Sequence, residues 1–454
     1  MKNTTIYIGL CCLLLLQACK KDFLDQRPDK ALLVPATPAD MQALLDNNFI
    51  FNNTPGLPYI ADGDFYTTAA GYNGYNLDME RNSYTWSKDI YGGIATPDWN
   101  LPYQQVFYTN VVLEGLAKLP GNSLQNNAIK GATLFYRAFA FYNLLQLFAA
   151  PYNTATAAAD AGIPLRLQSD VTIKVQRGSV QQAYAQILSD LSVAREILPV
   201  TAAYKSRPTV AGLQALLARV YLSMGNYVMA GKYADSVLAV NAALIDYNTL
   251  NKTATKPFPR ALPDGNNEVI FYSALSSYSF LTSAAPTYID TGLYRSYAAN
   301  DLRRVIFCRQ LAPGDFKFKG NYAGTLLFFS GLATDELYLI SAECRARAGD
   351  GEGAMRLLNS LLMKRWATGT FVPFVAADAD NALLLVLTER RKELLGRGLR
   401  WADLRRLNTD PRFKVTLTRT IGGKSFSLEP GSKRYVYPIP DEEVKLGGLL
   451  QNER

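Results

Sequence analysis

The spacing of apolar residues changes period several times along the chain, and each change predicts an element. Over residues 180–198, Val180, Tyr184, Ile187, Leu188, Leu191 and Leu198 fall on one face at helical period, which predicts an amphipathic helix. Helices are also expected over residues 103–119, 124–148, 382–396 and 400–407. Thr37-Pro38-Ala39-Asp40 reads as a helix start. It has a hydroxyl to cap, a proline where no N–H is needed, and a carboxylate at the positive end of the dipole. Helical period is lost over residues 50–100, where Gly, Asn, Pro and aromatics predict long surface loops. A second loop-rich, tyrosine-rich insertion is expected over about 241–331, and Gly422-Gly423 predicts a hairpin within 413–426.

An internal repeat organises the helices. Ala218, Gly225 and Ala230 recur as Ala342, Gly349 and Ala354 at the same spacing, with Leu213 and Val237 matched by Leu337 and Leu361. Each copy reads as a helix, a tight turn carrying glycine, and a second helix whose early alanine permits close approach. That is the layout of a tetratricopeptide-type pair. Two copies are fewer than a free-standing solenoid needs, so the other helix pairs are expected to supply degenerate units.

The N-terminus carries an address. Lys2 precedes an unbroken low-polarity run over residues 6–16, and Ala18 stands before Cys19. A run of about eleven residues is too short to span a bilayer as a helix, which takes roughly 20, and has the build of a secretory signal. A cysteine at the cut predicts a bacterial lipoprotein acylated on Cys19, although Gln17 departs from the usual small or β-branched residue. The expected organisation is a signal peptide over 1–18, a lipidated tether over 19–36 and a single domain over 37–454.

Composition narrows the chemistry. Removing residues 1–18 deletes one charged residue, Lys2, so the formal charge falls from +8 to +7. Lys and Arg are dispersed, with no run of five or more like charges to form a nucleic-acid arm. Cys11 and Cys12 leave with the signal, and Cys308 and Cys344 are expected to be unpaired core thiols rather than a disulfide. The chain has no histidine, which removes Ser-His-Asp and Cys-His catalysis and the commonest zinc and copper sites. Carboxylate-pair hydrolysis and calcium sites survive that test. Asp62-Gly63-Asp64 hints at calcium, but the twelve-position loop pattern is absent, so neither metal nor cofactor is expected.

The insertions concentrate aromatics beside polar side chains, the combination a sugar binder needs for stacking and hydrogen bonding. Residues 59–103 offer Tyr59, Tyr66, Tyr72, Tyr75, Tyr84, Trp86, Tyr91 and Trp99, and the second insertion adds Tyr272, Tyr278, Tyr288, Tyr294 and Tyr297. From these, Asp62, Tyr75, Trp86, Tyr91, Tyr278, Tyr294 and Arg295 are the expected ligand contacts. Tyr75, Trp86 and Tyr278 sit among turn formers, whereas Trp99 and Tyr103 fit a helix face and are expected in the core.

Several blocks stand in a characteristic order: Lys20-Lys21-Asp22-Phe23-Leu24-Asp25, Trp99 to Asn110, Phe135-Tyr136-Arg137-Ala138 with Gly162-Ile163-Pro164-Leu165, and Arg177-Gly178-Ser179 leading to Ile187-Leu188-Ser189-Asp190-Leu191. The strongest runs from Glu389 to Leu394 and from Gly398 through Arg400-Trp401 and Asp403 to Arg406, with Tyr437-Pro438-Ile439-Pro440 and Gln451-Asn452 in the tail. Together these blocks resemble the SusD/RagB family of outer-membrane nutrient-binding lipoproteins. Gly396 and a missing Asn-Pro pair depart from the pattern. The resemblance implies a mainly α fold with little β, in which tetratricopeptide-like helix pairs form a right-handed superhelical scaffold bearing long irregular loops. It also implies a non-enzymatic surface lipoprotein that binds an oligosaccharide or related nutrient. The partner would be a SusC-like TonB-dependent transporter in the outer membrane, with Cys19 holding the membrane.

Alternatives remain open at this stage: a peptide-nutrient binder of the same family, a lipid-anchored glycoside hydrolase using loop aspartates, or a peptide-binding scaffold. The carboxylates and guanidiniums of residues 389–406 are expected to dock helices rather than do chemistry. Arg390, Arg397, Arg400 and Arg405 would pair with Glu389, Glu393, Asp403 or helix carbonyls, and Trp401 would plug the joint.

Overall fold

The computed structural model describes residues 35–454 apart from 122, 264, 283 and 284. The signal segment, Cys19 and most of the expected tether lie outside the described residues. Helix α1 (Pro38–Leu45) is closed by a capping box, in which Thr37 Oγ1 accepts from Asp40 N–H at 3.2 Å and the Asp40 carboxylate accepts from Thr37 N–H at 3.0 Å. Helices α2 (Pro97–Leu116) and α3 (Leu124–Phe148) pack together. Helix α3 is buried around most of its circumference, by Phe135, Phe139, Phe141, Leu144, Leu145 and Phe148 among others, and forms the central post. Helix α4 (Val180–Arg195) lays Val180, Tyr184, Ile187 and Leu191 inward as its period predicts.

Three separate sequence blocks meet at one buried guanidinium. Arg137 of α3 forks onto Asp190 of α4 at 2.8 and 2.7 Å and donates to Asn110 Oδ1 of α2 at 3.0 Å. A buried charge is tolerated only when paired and hydrogen-bonded, so this contact fixes how the three helices dock.

The repeat is realised as two helix pairs, α5 (Val210–Ser223) with α6 (Tyr227–Leu238) and α7 (Thr334–Arg347) with α8 (Gly351–Leu362). Gly225 (φ +70°) and Gly349 (φ +88°) adopt the left-handed conformation that ends each first helix. Asn226 and Asp350 then cap the second helices. Ala218, Ala230, Ala342 and Ala354 are wholly buried at the crossings. Helix α6 packs directly on α7, so the pairs stack although the second insertion separates them in sequence. Helices α9 (Ala379–Glu393) and α10 (Arg400–Leu407) extend the frame. Among the described residues every sheet has two strands, and no helix is long and apolar enough to cross a membrane.

The charged block 389–406 is a docking network centred on Arg303. This wholly buried guanidinium meets Asp301 at 2.7 Å, Glu393 at 3.0 Å and Glu389. Arg365 bridges Glu393 at 2.7 Å and Glu268 at 3.0 Å. Arg390 bonds Asp403 at 2.8 Å and Arg397 bonds Asp335 at 2.7 Å, while Arg405 donates to the carbonyls of Gln146 and Ala149. Trp401 is buried against Tyr435 and Tyr437, as a plug should be. Arg400 is the exception: among the described residues it has no hydrogen bond or ion pair, and its buried Nε has no partner.

The first insertion differs from the expected surface loops. It folds into short helices (Leu57–Ala61, Ala69–Asn73, Asp78–Tyr84) whose aromatics turn inward, and Tyr59, Tyr84 and Trp86 are buried. Large rings bury enough apolar area to pull an irregular chain into the core. The main hydrophobic cluster therefore runs from α3 through both insertions, and a smaller one lies between α7, α8 and α9. Cys308 and Cys344 are free and buried. Burial pushes the Cys344 thiol up to about 12.

Candidate functional site

Two short strands carry a pair of half-buried tyrosines. Strand β1 (Phe65–Thr67) pairs antiparallel with β2 (Thr287–Ile289), which places Phe65 opposite Ile289 and Tyr66 opposite Tyr288. Strand side chains alternate faces: Phe65, Thr67 and Ile289 are buried, whereas Tyr66 and Tyr288 are half-buried on the outer face. Their ring centroids are 5.4 Å apart with planes inclined by 32°. Behind them lies a hairpin of β3 (Cys308–Ala312) and β4 (Asp315–Phe318). Tyr66 Oη donates to Asp315 Oδ1 at 2.8 Å. Burial and that carboxylate push the Tyr66 phenol well up, so it stays a protonated donor. The pair forms a tilted shelf that can meet the C–H face of a sugar ring, with Asp315 beside it to accept from a hydroxyl.

On the inner face of the ribbon, Phe65, Phe280, Phe318 and Phe328 enclose a cleft of about 40 Å³. A water molecule's share of liquid is about 30 Å³, so that space holds no sugar ring. A larger cleft of about 260 Å³ lies along α2, where Trp99, Tyr103 and Phe107 line one wall and Arg166, Lys174 and Glu443 stand among the polar groups. Trp99 is 2% exposed and sits in the core as expected, with Tyr103 partly buried against it, and both also border the cleft.

The ligand contacts expected from the sequence fall mostly elsewhere, and five are corrected. Trp86 is 1% exposed: its Nε1–H donates to Ala61 O at 3.0 Å, and the Arg419 guanidinium lies 4.6 Å from its ring centre. Its φ of +52° is non-glycine left-handed geometry, held where Ser87 N–H bonds back to Asn82 O at 2.9 Å. Tyr75 is buried against Phe280 with its hydroxyl 2.8 Å from Thr287 Oγ1. Buried Tyr91 donates to Pro438 O at 3.0 Å. Buried Tyr278 donates to Asp98, which also accepts from Leu57 N–H at 2.9 Å, and burial pushes Asp98 up to about 6. Asp62 is buried, accepts from Asp64 N–H at 3.0 Å, and is pushed well up by burial and by Asp64. Rings sealed in this way have no face for a ligand.

The remaining two lie near the surface. Tyr294 is half-buried, but Phe316 stacks on it at 3.3 Å and Arg304 Nε donates to its hydroxyl at 3.0 Å. Arg295 is exposed on the same short helix, Thr291–Ser296. Tyr66 and Tyr288 belonged to the aromatic pool in the sequence without being singled out. Their signal was one period of alternation, Phe65-Tyr66-Thr67, too short to separate from irregular chain.

Comparison with known proteins agrees with this architecture. Residues 22–222 match a SusD-like family described as starch-binding, associating with outer membrane, and residues 335–453 match the SusD family. SusD-like protein P2 of Formosa agariphila is 23% identical, over 92% of each chain. A putative sugar binding protein from Bacteroides vulgatus superposes with a TM-score of 0.73 at 20% identity, covering 92% of this chain and 99% of that one. A SusD superfamily protein from Bacteroides thetaiotaomicron gives 0.71 at 22% identity, covering 92% and 100%. The end-to-end match, in both halves of the sequence and in the helical frame, shows that the chain belongs to the SusD/RagB family.

Proposed function

We propose that this protein is a surface lipoprotein that captures an oligosaccharide and delivers it to a SusC-like TonB-dependent transporter in the outer membrane. Acylated Cys19 would tether it there. Membership of a family described as starch-binding, associating with outer membrane, carries the reading. The Tyr66–Tyr288 shelf beside Asp315 supplies a matching surface. One acyl chain binds a bilayer marginally, so several chains on Cys19 plus the transporter interface would hold the complex.

The mechanism is binding without bond cleavage. Asp62 is sealed and Asp64 is engaged by Arg391 at 2.8 Å, so neither aspartate of Asp62-Gly63-Asp64 is available as half of a hydrolytic pair. This supports a binder over the hydrolase alternative. Calorimetry of the mature protein against a glycan panel tests the reading, with Phe107→Ala comparing the α2 cleft against the shelf. Affinity for a glycan, weakened by Tyr66→Ala or Tyr288→Ala and accompanied by no release of reducing sugar, is the expected result. Peptide affinity alone, or reducing-sugar release lost on mutating loop aspartates, would overturn it. Co-purification with a transporter from native membranes tests delivery separately.

A further inference from the structure

Within a charged block where every other guanidinium is bonded, Arg400 stands without a partner among the described residues. It lines a cleft of about 330 Å³, within the lower range of about 300–1,000 Å³ for ligand sites. The cleft lies between helix Thr291–Ser296, α9, α10 and residues 412–415, and neither Tyr66 nor Tyr288 lines it. Arg391, Lys392, Arg412 and Lys414 line it too. Three of these are neutralised: Arg391 by Asp64 at 2.8 Å, Lys392 by Glu389 at 2.7 Å, and Arg412 by Asp410 at 2.7 Å. Lys414, exposed at the rim, has no ion pair among the described residues.

The carboxylates nearest Arg400 are already engaged. Asp62, Asp64 and Asp403 act on it without forming an ion pair. Asp64 belongs to Arg391, Asp403 is shared by Arg390 and Arg406 at 2.8 Å each, and Asp62 is sealed in the core. Burial and the like charge of Arg391 hold the Arg400 guanidinium below its usual range, so it is a cation kept where a charge is disfavoured. A planar guanidinium of this kind matches an oxyanion fork to fork. Leu387, Leu404 and Phe413 give the same cleft an apolar wall.

We infer that this cleft takes the anionic group, a carboxylate or a sulfate ester, of an acidic saccharide. The oxyanion would complete the pairing of Arg400 with Lys414 at the rim, while the apolar wall meets the sugar's C–H face. The saccharide part rests on the proposed function; the oxyanion part rests on the cleft alone.

Calorimetry at low salt tests it with galacturonate oligomers, sulfated galactose oligomers, neutral galactose oligomers of the same length, and sodium sulfate alone. Both acidic oligomers should bind about tenfold or more tighter than the neutral one, as a charge-assisted contact implies. The gap should narrow as salt is raised. Arg400→Gln should bring acidic-oligomer affinity down to that of the neutral oligomer, and Lys414→Gln should reduce the preference a few-fold at an unchanged melting temperature. If Arg400→Gln fails to fold, the exposed Lys414→Gln variant carries the test. Equal affinity for acidic and neutral oligomers, or a preference that survives these variants, overturns the inference and leaves the proposed function standing. Binding of sulfate with no oligomer bound overturns the saccharide part and leaves an anion cleft, while the proposed function stands or falls on the glycan panel.

Discussion

In the helical frame, charges are buried and almost all are paired; in the loop insertions, rings are buried and need no partner beyond a neighbour. Arg303 reaches from the second insertion into the frame, where Glu389 and Glu393 of α9 and its neighbour Asp301 surround it and leave it no exposed surface. Trp86, from a stretch rich in turn formers, is equally sealed by Ala61, Arg419 and the core. The two regions reach the same burial by different rules. A charge must find an opposite charge in a defined geometry, whereas a ring needs only enough apolar contact. The frame should therefore fail when one member of an ion network is removed, and the insertions when a ring is truncated. Ligand contacts are left to the few side chains that neither rule consumes.

The largest expected effect tests the frame. Arg303→Met takes the shared cation from Asp301, Glu389 and Glu393, leaving Glu393 to Arg365 and the other two to Lys392, and removing one partner of a buried network costs about 3–5 kcal/mol. Urea denaturation should show that loss. A loss below about 1 kcal/mol would mean the carboxylates find other partners, since surface pairs are worth about that much.

Trp86→Ala tests the insertions. A buried tryptophan cut to alanine costs about 3–5 kcal/mol, and loss of the Nε1–H bond to Ala61 adds to it. Stability should fall, and ligand affinity measured well below the melting point should hold. The reverse outcome would return Trp86 to the binding face that its sequence neighbours suggested.

The frame was far more legible than the site, and the reason is locality. Ala218–Gly225–Ala230 and its second copy report on contacts between helices adjacent in sequence, so the spacing itself carries the geometry. The fate of Trp86 depends on Arg419, more than three hundred residues away, and nothing in Ser83-Tyr84-Thr85-Trp86-Ser87 encodes that contact. Arg400 was hidden differently. The sequence shows carboxylates enough for every arginine of the block, and only the fold reveals that Asp403 and Asp335 are taken by Arg390 and Arg397. Cys19 and its signal, the clearest local motif, lie outside the described residues.

A smaller effect lies where the two rules meet. Asp98 of α2 is a charge buried in the aromatic insertion, held by Leu57 N–H and Tyr278 rather than by a cation. Burial raises it from 3.8 to about 6. Between those values the folded state holds a proton that the unfolded chain has released. The contribution of Asp98 is thus complete below about pH 4 and is lost as pH rises through about 6, amounting to about 3 kcal/mol. Asp98→Asn, isosteric with the protonated acid, should remove this fall, so the variant should gain about 3 kcal/mol on wild type between pH 4 and pH 7. Parallel stability curves across pH 4–7 would show that Asp98 keeps an ordinary carboxylate range.

The smallest effect on stability should be the most informative about function. Tyr66 is half-buried on a two-stranded ribbon, and its hydroxyl bond to Asp315 is partly open to water. Tyr66→Phe should therefore cost at most about 1 kcal/mol, and Tyr66→Ala little more. On the ligand the order should spread: phenylalanine keeps the ring and frees Asp315, whereas alanine removes a stacking surface worth about 0.5–1.5 kcal/mol, a few-fold to about tenfold in affinity. Calorimetry with the two variants separates stacking from hydrogen bonding, because the hydroxyl is lost in both and the ring in one. If phenylalanine binds as weakly as alanine, the Tyr66–Asp315 pair makes the contact and the shelf does not. If both bind as wild type does, the ribbon is one more place where the loops spend aromatics on folding, and the half-buried Tyr103 and Phe107 of the α2 cleft become the surface left to bind.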